Sequence, residues 1–160
     1  MDTPQILVLG LGNILFQDEG LGVHAAKLLR TNHKLPLHTE IIDGGTLGLD
    51  LLTYFQPQCS ILILDAIRAG KTPGELIRLA GKAIPATLAQ KMSMHQLGLQ
   101  DLLATCHLRD SMPQRVVLWG IEPAAIDWGL DCSPAVAQAL PTLVACAAQE
   151  VQSWHEPMDD

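Results

Sequence analysis

At 160 residues and a formal net charge of −7, the chain is long enough for one full-sized core, and no run of Lys or Arg gives it the basic footprint of a nucleic-acid binder. Apolar residues make up 48% and charged residues 17%, which excludes an intrinsically disordered chain. No apolar run approaches the roughly 18 residues of a membrane span, and Met-Asp-Thr-Pro-Gln at the amino end lacks the parts of a signal peptide, so a cytoplasmic protein with no membrane partner is expected.

The first element is an apolar strand beginning at Ile6 and closed by Gly10 and Gly12. The glycines allow a sharp turn at its carboxyl end. Leu21, Ala25, Leu28 and Leu29 then follow helical spacing, predicting a helix over about 20–32 with Asp18 as its N-cap and Glu19 in the first turn. A carboxylate there is favoured by the helix dipole. Leu37 to Ile42 reads as a second strand ending in a turn at Asp43-Gly44-Gly45-Thr46, whose adjacent glycines permit the close approach of a ligand. A short helix is expected over 47–55, closed by Pro57. Ser60 to Ile67 is the most hydrophobic segment and the best central strand, interrupted near its end by Asp65.

Glu75 to Leu79 alternates as a further strand, and Pro85 is expected in a connecting loop. His95 opens a helix running to about Ala104, and Arg115 to Ile121 is the last strand. Ser133-Pro134 is a cap followed by proline in the first helical position. The long helix behind it reaches about Trp154 and should be kinked or divided by Pro141, with 153–160 as a frayed tail. Strands alternating with helices predict a single α/β domain over 1–160: three αβα layers around a mainly parallel sheet of about five strands. One sheet edge then collects Glu19, Asp43 and Asp65, with Glu122 as a further candidate.

Two nucleotide motifs fail on their own mechanics. Gly10-x-Gly12 has Leu15 where the third glycine belongs, and an acid at Glu19 would face a pyrophosphate. Gly70-Lys71-Thr72 lacks the earlier glycine, because Asp65 stands there, and Pro73-Gly74 follows instead of a helix. There is no G-x-S-x-G elbow, no H-E-x-x-H pair and no C-x-x-C pair. Cys59 and Cys146 read as small core residues, and no cysteine sits at a promising strand end. A metal site fits the residue types better. Glu19, Asp65 and one histidine would offer a divalent transition ion three ligands and leave positions open. His24, His33 and His38 read as surface residues, His107 precedes a charged loop and His155 lies in the tail; His95, opening a helix flanked by apolar segments, is the best ligand.

The opening Leu-Gly-Leu-Gly-Asn-Ile-Leu-Phe-Gln-Asp-Glu19-Gly-Leu-Gly-Val resembles that of the hydrogenase maturation endopeptidases. The likeness continues through Asp43-Gly-Gly-Thr46, Leu-Asp65-Ala, Ser93-Met-His95-Gln-Leu-Gly-Leu, Gly120-Ile-Glu-Pro123 and Leu130-x-x-Ser133-Pro134. The resemblance implies a peptidase that removes the carboxyl-terminal extension of a nickel-iron hydrogenase large-subunit precursor after nickel insertion. It implies nickel recognition by Glu19, Asp65 and His95, and substrate choice by Asp43, Gly44, Gly45 and Thr46. The nickel is expected to arrive with the substrate, with zinc or cadmium able to take the same place in vitro. Glu19 or Asp65 is then the candidate catalytic base. The alternative that shares these residues is a non-catalytic chaperone that binds nickel or the precursor.

Overall fold

The structure is a computed structural model, and it describes residues 5–45, 49–88 and 94–155. Five strands form one sheet: β1 (Ile6–Leu11), β2 (Thr39–Gly45), β3 (Ser60–Ala66), β4 (Leu76–Ala80) and β5 (Arg115–Ile121). Their order is β2-β1-β3-β5-β4. All neighbours are parallel except β4, which pairs antiparallel with β5 at one edge. Every residue of β1 and β3 is buried. That is why both read as long apolar runs, broken in β3 only by Ser60 and Asp65: helices cover both faces. The edge strand β4 instead alternates buried Ile77 with more exposed neighbours.

Helices α1 (Leu21–Asn32) and α4 (Pro134–His155) pack on one face against Val8, Leu62, Leu64 and Val117. On the other face α3 (Met94–Leu108) and a 3-10 segment (Leu49–Tyr54) cover Leu7, Leu9, Ile61, Ile63 and Leu118. The expected three-layer α/β architecture is therefore present. Among the described residues no helix is long and apolar enough to cross a membrane.

Several local expectations differ from what forms. Of the expected 47–55 helix, Leu49–Tyr54 form the 3-10 segment, and 47–48 lie outside the described residues. The second strand runs on through Gly45, so Asp43, Gly44 and Gly45 lie within β2 and not in a turn after it. Pro85 stands in a short helix, α2 (Ala83–Leu88). It tolerates this because it occupies the first turn, where an N–H has no intrahelical acceptor to lose. Pro141 neither divides α4 nor ends it. Its helix-breaking cost, about 3 kcal/mol, is outweighed by a buried stripe of Val136, Leu140, Leu143, Val144, Ala147 and Val151 at helical spacing. The same helix carries through to His155, past the expected start of a frayed tail, and 156–160 lie outside the described residues.

The chain leaves β1 towards β2 on one side and reaches β3 on the other. The connections thus part between the carboxyl ends of β1 and β3. In open α/β sheets this switch point opens a crevice above the strand ends.

Candidate functional site at the switch point

Two glycines fix what sits in that crevice. Gly12 follows β1 at φ +125°, and a Cβ there would fall 1.9 Å from the Glu19 carbonyl oxygen. The loop therefore folds back so that the Glu19 backbone rests on the end of β1. A 3-10 turn over Gln17–Gly20 makes the bend, with the Glu19 N–H donating to Phe16 O at 3.1 Å. At Gly22, in the first turn of α1, a Cβ would lie 2.0 Å from Leu64 O and 2.4 Å from Leu11 O. The start of α1 is seated on the ends of both strands, one residue short of Asp65. Glu19 is half-buried there, and Asp65 is fully buried.

Asp65 Oδ1 accepts the Ala66 N–H at 2.8 Å. It alternates with Ile61 and Ile63, so it faces the layer that contains α3. The direction of α3 follows from its end. The Ser111 N–H donates to Cys106 O and the Gln114 N–H to Cys59 O, which sets the end of α3 beside the start of β3. Fifteen helical residues span about 22 Å, as far as a seven-residue strand, so the first turn of α3 reaches the carboxyl edge. His95 is the second residue of that turn, and its side chain lies outside the described residues. Among the described residues no three His, Cys, Asp or Glu side chains are grouped to hold a metal ion.

The expected substrate segment lies elsewhere on the edge. Asp43 pairs in register with Gly10, and Leu11 pairs with Gly45, with Gly44 bulged between them. Gly44 is buried, and a Cβ on it would press on the Leu11 side chain at 2.7 Å. Asp43 is exposed, and strand alternation turns it to the face of Ile41 and α1. It therefore lies two strands from Asp65, about 10 Å, and on the opposite face. Thr46 lies outside the described residues.

The residue that sequence reasoning misplaced is Asp18. It does not cap α1, whose N-cap is Gly20 with no side-chain bond. Its fully buried carboxylate instead reaches across more than a hundred residues. Oδ2 accepts the Ala124 and Ala125 N–H groups at 2.8 and 3.0 Å and the Ser133 hydroxyl at 2.8 Å, and Oδ1 accepts the Ser133 N–H at 2.7 Å. Ser133 is at the same time the residue before α4, so the charge sits at the positive end of a 22-residue helix. No spacing rule links positions this far apart. Glu122 likewise serves the fold, accepting the Ala69 and Lys71 N–H groups on Oε1 at 2.9 and 2.6 Å.

Burial pushes the thiols of Cys59 and Cys106 up. Cys132 is pushed up to about 11, chiefly by burial and further by the Asp18 and Asp131 carboxylates. Three of the four cysteines are thus held as neutral thiols, which are poor nucleophiles. His24 is half-buried, not a surface residue; burial and then Lys27 lower its pKa against the opposing pull of Asp131. Cys146 is half-buried, less enclosed than the core position expected for it.

The sequence profile described as hydrogenase maturation protease matches residues 23–150. The chain is 39% identical over 152 residues to the hydrogenase expression/formation protein HupD of Rhodobacter capsulatus, spanning 94% of this chain and 72% of that protein. It is 38% identical over 133 residues to the hydrogenase 2 maturation protease of Escherichia coli, spanning 82% and 81%. The solved hydrogenase maturating endopeptidase HybD from Escherichia coli superposes with a TM-score of 0.89 at 32% identity, covering 94% of each chain. A profile match over most of the chain, joined to relatives above 30% identity and the same fold, places this chain in the hydrogenase maturation protease family, a family of peptidases.

Proposed function

We propose that this peptidase removes the carboxyl-terminal extension of a nickel-iron hydrogenase large-subunit precursor, and that it does so only when the precursor carries nickel. The observation that supports this most is the seating of Gly22 on Leu64 O, because it holds Glu19 beside the strand end bearing Asp65. The first turn of α3, with His95, comes to the same edge. Two carboxylates and an imidazole suit a borderline divalent ion without holding it permanently. The precursor's own nickel would then be recognised by Glu19, Asp65 and His95, and cleavage would depend on correct loading. β2 is an edge strand, and its exposed Asp43 end leaves an outer edge that the extension could approach, which suits a part in substrate choice. The expected compartment is the cytoplasm.

Two roles for this chain's residues follow. Either the recognised ion polarises the scissile carbonyl or a water, or it only positions the peptide while Glu19 or Asp65 takes the proton from the attacking water. The raised thiols of Cys59, Cys106 and Cys132 make those three poor nucleophiles, which fits an attacking water. The deciding experiment compares cleavage of nickel-loaded and nickel-free precursor by the same enzyme preparation. Loaded precursor should be shortened and the nickel-free form left intact; equal rates would refute nickel gating.

A further inference from the structure

Beside the switch point stands an apolar platform with no role in the cleavage chemistry described above. Trp128 and Leu130 are 76% and 64% exposed, and Leu15 across from them is 47% exposed. Phe16 packs against Trp128 with ring centroids 4.4 Å apart and the ring planes tilted by 37°. Two loops distant in sequence build this surface, and neither is loosely held. Phe16 bridges to Gly129, the Gln17 N–H donates to Gly129 O at 2.9 Å, and the Gly129 N–H donates to Leu15 O at 2.9 Å. Gln17 sits in the left-handed region at φ +49° and accepts the Asp127 N–H on its side-chain oxygen at 3.2 Å. Beneath lies the four-bonded Asp18. An ordinary solvated loop needs no buried carboxylate and no left-handed glutamine to hold an indole in water. Rigid aromatic display of this kind suits recognition, because little side-chain entropy is lost on contact.

We propose that this platform docks the hydrogenase large-subunit precursor through an apolar segment of the precursor flanked by Lys or Arg. The occupant follows from charge and place. Asp127 and Asp131 are exposed and flank Trp128 and Leu130 in the chain, so the loop that carries the apolar surface bears two carboxylates at its margins. Those two carboxylates disfavour an anionic lipid surface, and they disfavour a two-fold contact that would bring the same loop of two copies together. They complement Lys or Arg beside an apolar segment of a partner. The platform is also continuous with the cleavage edge, since the Glu19 N–H bonds to Phe16 O. A macromolecular substrate whose extension reaches the edge would cover both. The proposal rests on the reading of Glu19 and Asp65 as the cleavage edge.

The test uses nickel-loaded large-subunit precursor as the probe. Binding is measured to full-length protein carrying Asp65→Asn, so that cleavage does not deplete the complex, at low and high salt. In that background Trp128→Ala should weaken binding by about tenfold or more, as loss of a central aromatic anchor does. Asp127→Lys with Asp131→Lys should weaken binding and flatten its salt dependence. In otherwise wild-type enzyme Trp128→Ala should raise KM by a similar factor while kcat at saturating precursor falls far less. Leu130→Asp, at an exposed position, gives the same reading if Trp128→Ala lowers the melting temperature. Unchanged affinity in Leu130→Asp and in the double lysine variant would overturn the proposal. So would variants that shift this chain from dimer to monomer in sedimentation while precursor affinity holds. If Asp65→Asn still cleaves yet Trp128→Ala weakens binding, the site reading fails and the docking surface stands; the reverse pattern removes the docking surface alone.

Discussion

The Asp18 carboxylate accepts both the main-chain N–H and the hydroxyl of Ser133, at 2.7 and 2.8 Å, and so joins the loop after β1 to the start of α4. The two residues stand 115 positions apart. The loop that carries Glu19 is therefore positioned by the far end of the chain as well as by the strand it leaves.

Replacing Asp18 by Asn should test that linkage. The amide keeps one acceptor oxygen but turns an N–H₂ towards donors that the carboxylate satisfied. The expected loss is about 3 kcal/mol, the range for a broken buried charge-assisted network. Urea midpoints at constant slope would measure it. A midpoint equal to wild type would mean that the staple contributes nothing to stability.

Gly22→Ala asks whether the seating of α1 on β3 matters. The added methyl would meet Leu64 O and Leu11 O, which are backbone atoms and cannot move aside singly. Destabilisation of about 2–3 kcal/mol or more is expected, with cleavage lost in whatever protein remains folded. Full activity in a folded Gly22→Ala protein would break the link between this contact and the cleavage edge.

Asp65→Asn and His95→Ala should each lose precursor cleavage by a hundredfold or more, on the order of what removal of a catalytic or metal-positioning group costs. Far-ultraviolet circular dichroism should show both still folded. Retained cleavage in either variant would take that residue out of the site.

The Arg78–Glu150 pair gives a pH signature. Glu150 accepts Arg78 Nε at 2.6 Å and Trp119 Nε1 at 3.0 Å, tying α4 to the edge of the sheet. Burial raises its pKa, but the bonds from Arg78 and Trp119 outweigh burial and leave it below the ordinary 4.5. A depressed folded pKa means that the unfolded chain binds the proton more readily. The stabilisation is thus complete above about 4.5 and fades as pH falls through the folded value. Arg78 is 46% exposed, so solvent screening limits the contribution to about 0.5–1 kcal/mol. Stability curves for wild type and Glu150→Gln should lie apart at neutral pH and converge in acid. A constant gap would show that charge at Glu150 is irrelevant.

The sequence alone determined the strands and most of the helices. β1, β3 and β5 announce themselves through apolar runs at 6–9, 61–64 and 116–119, because both faces of the central sheet are covered, and that burial needs no knowledge of which helix covers them. Ser133 and Pro134 marked the start of α4 because a cap is a local device. The motifs around Glu19, Asp65 and His95 were also legible, as residue types at strand and helix ends. What only the tertiary structure decided depends on contacts between distant positions. Pro141 lies inside an unbroken helix because a buried stripe outweighs its local cost. Asp43 falls on the face opposite Asp65 because register, not proximity along the chain, sets which way a strand residue points. Asp18 is expected as the cap of α1, yet it lies three residues ahead of that helix and serves Ser133, because a carboxylate taken out of water goes to the site that satisfies it most fully.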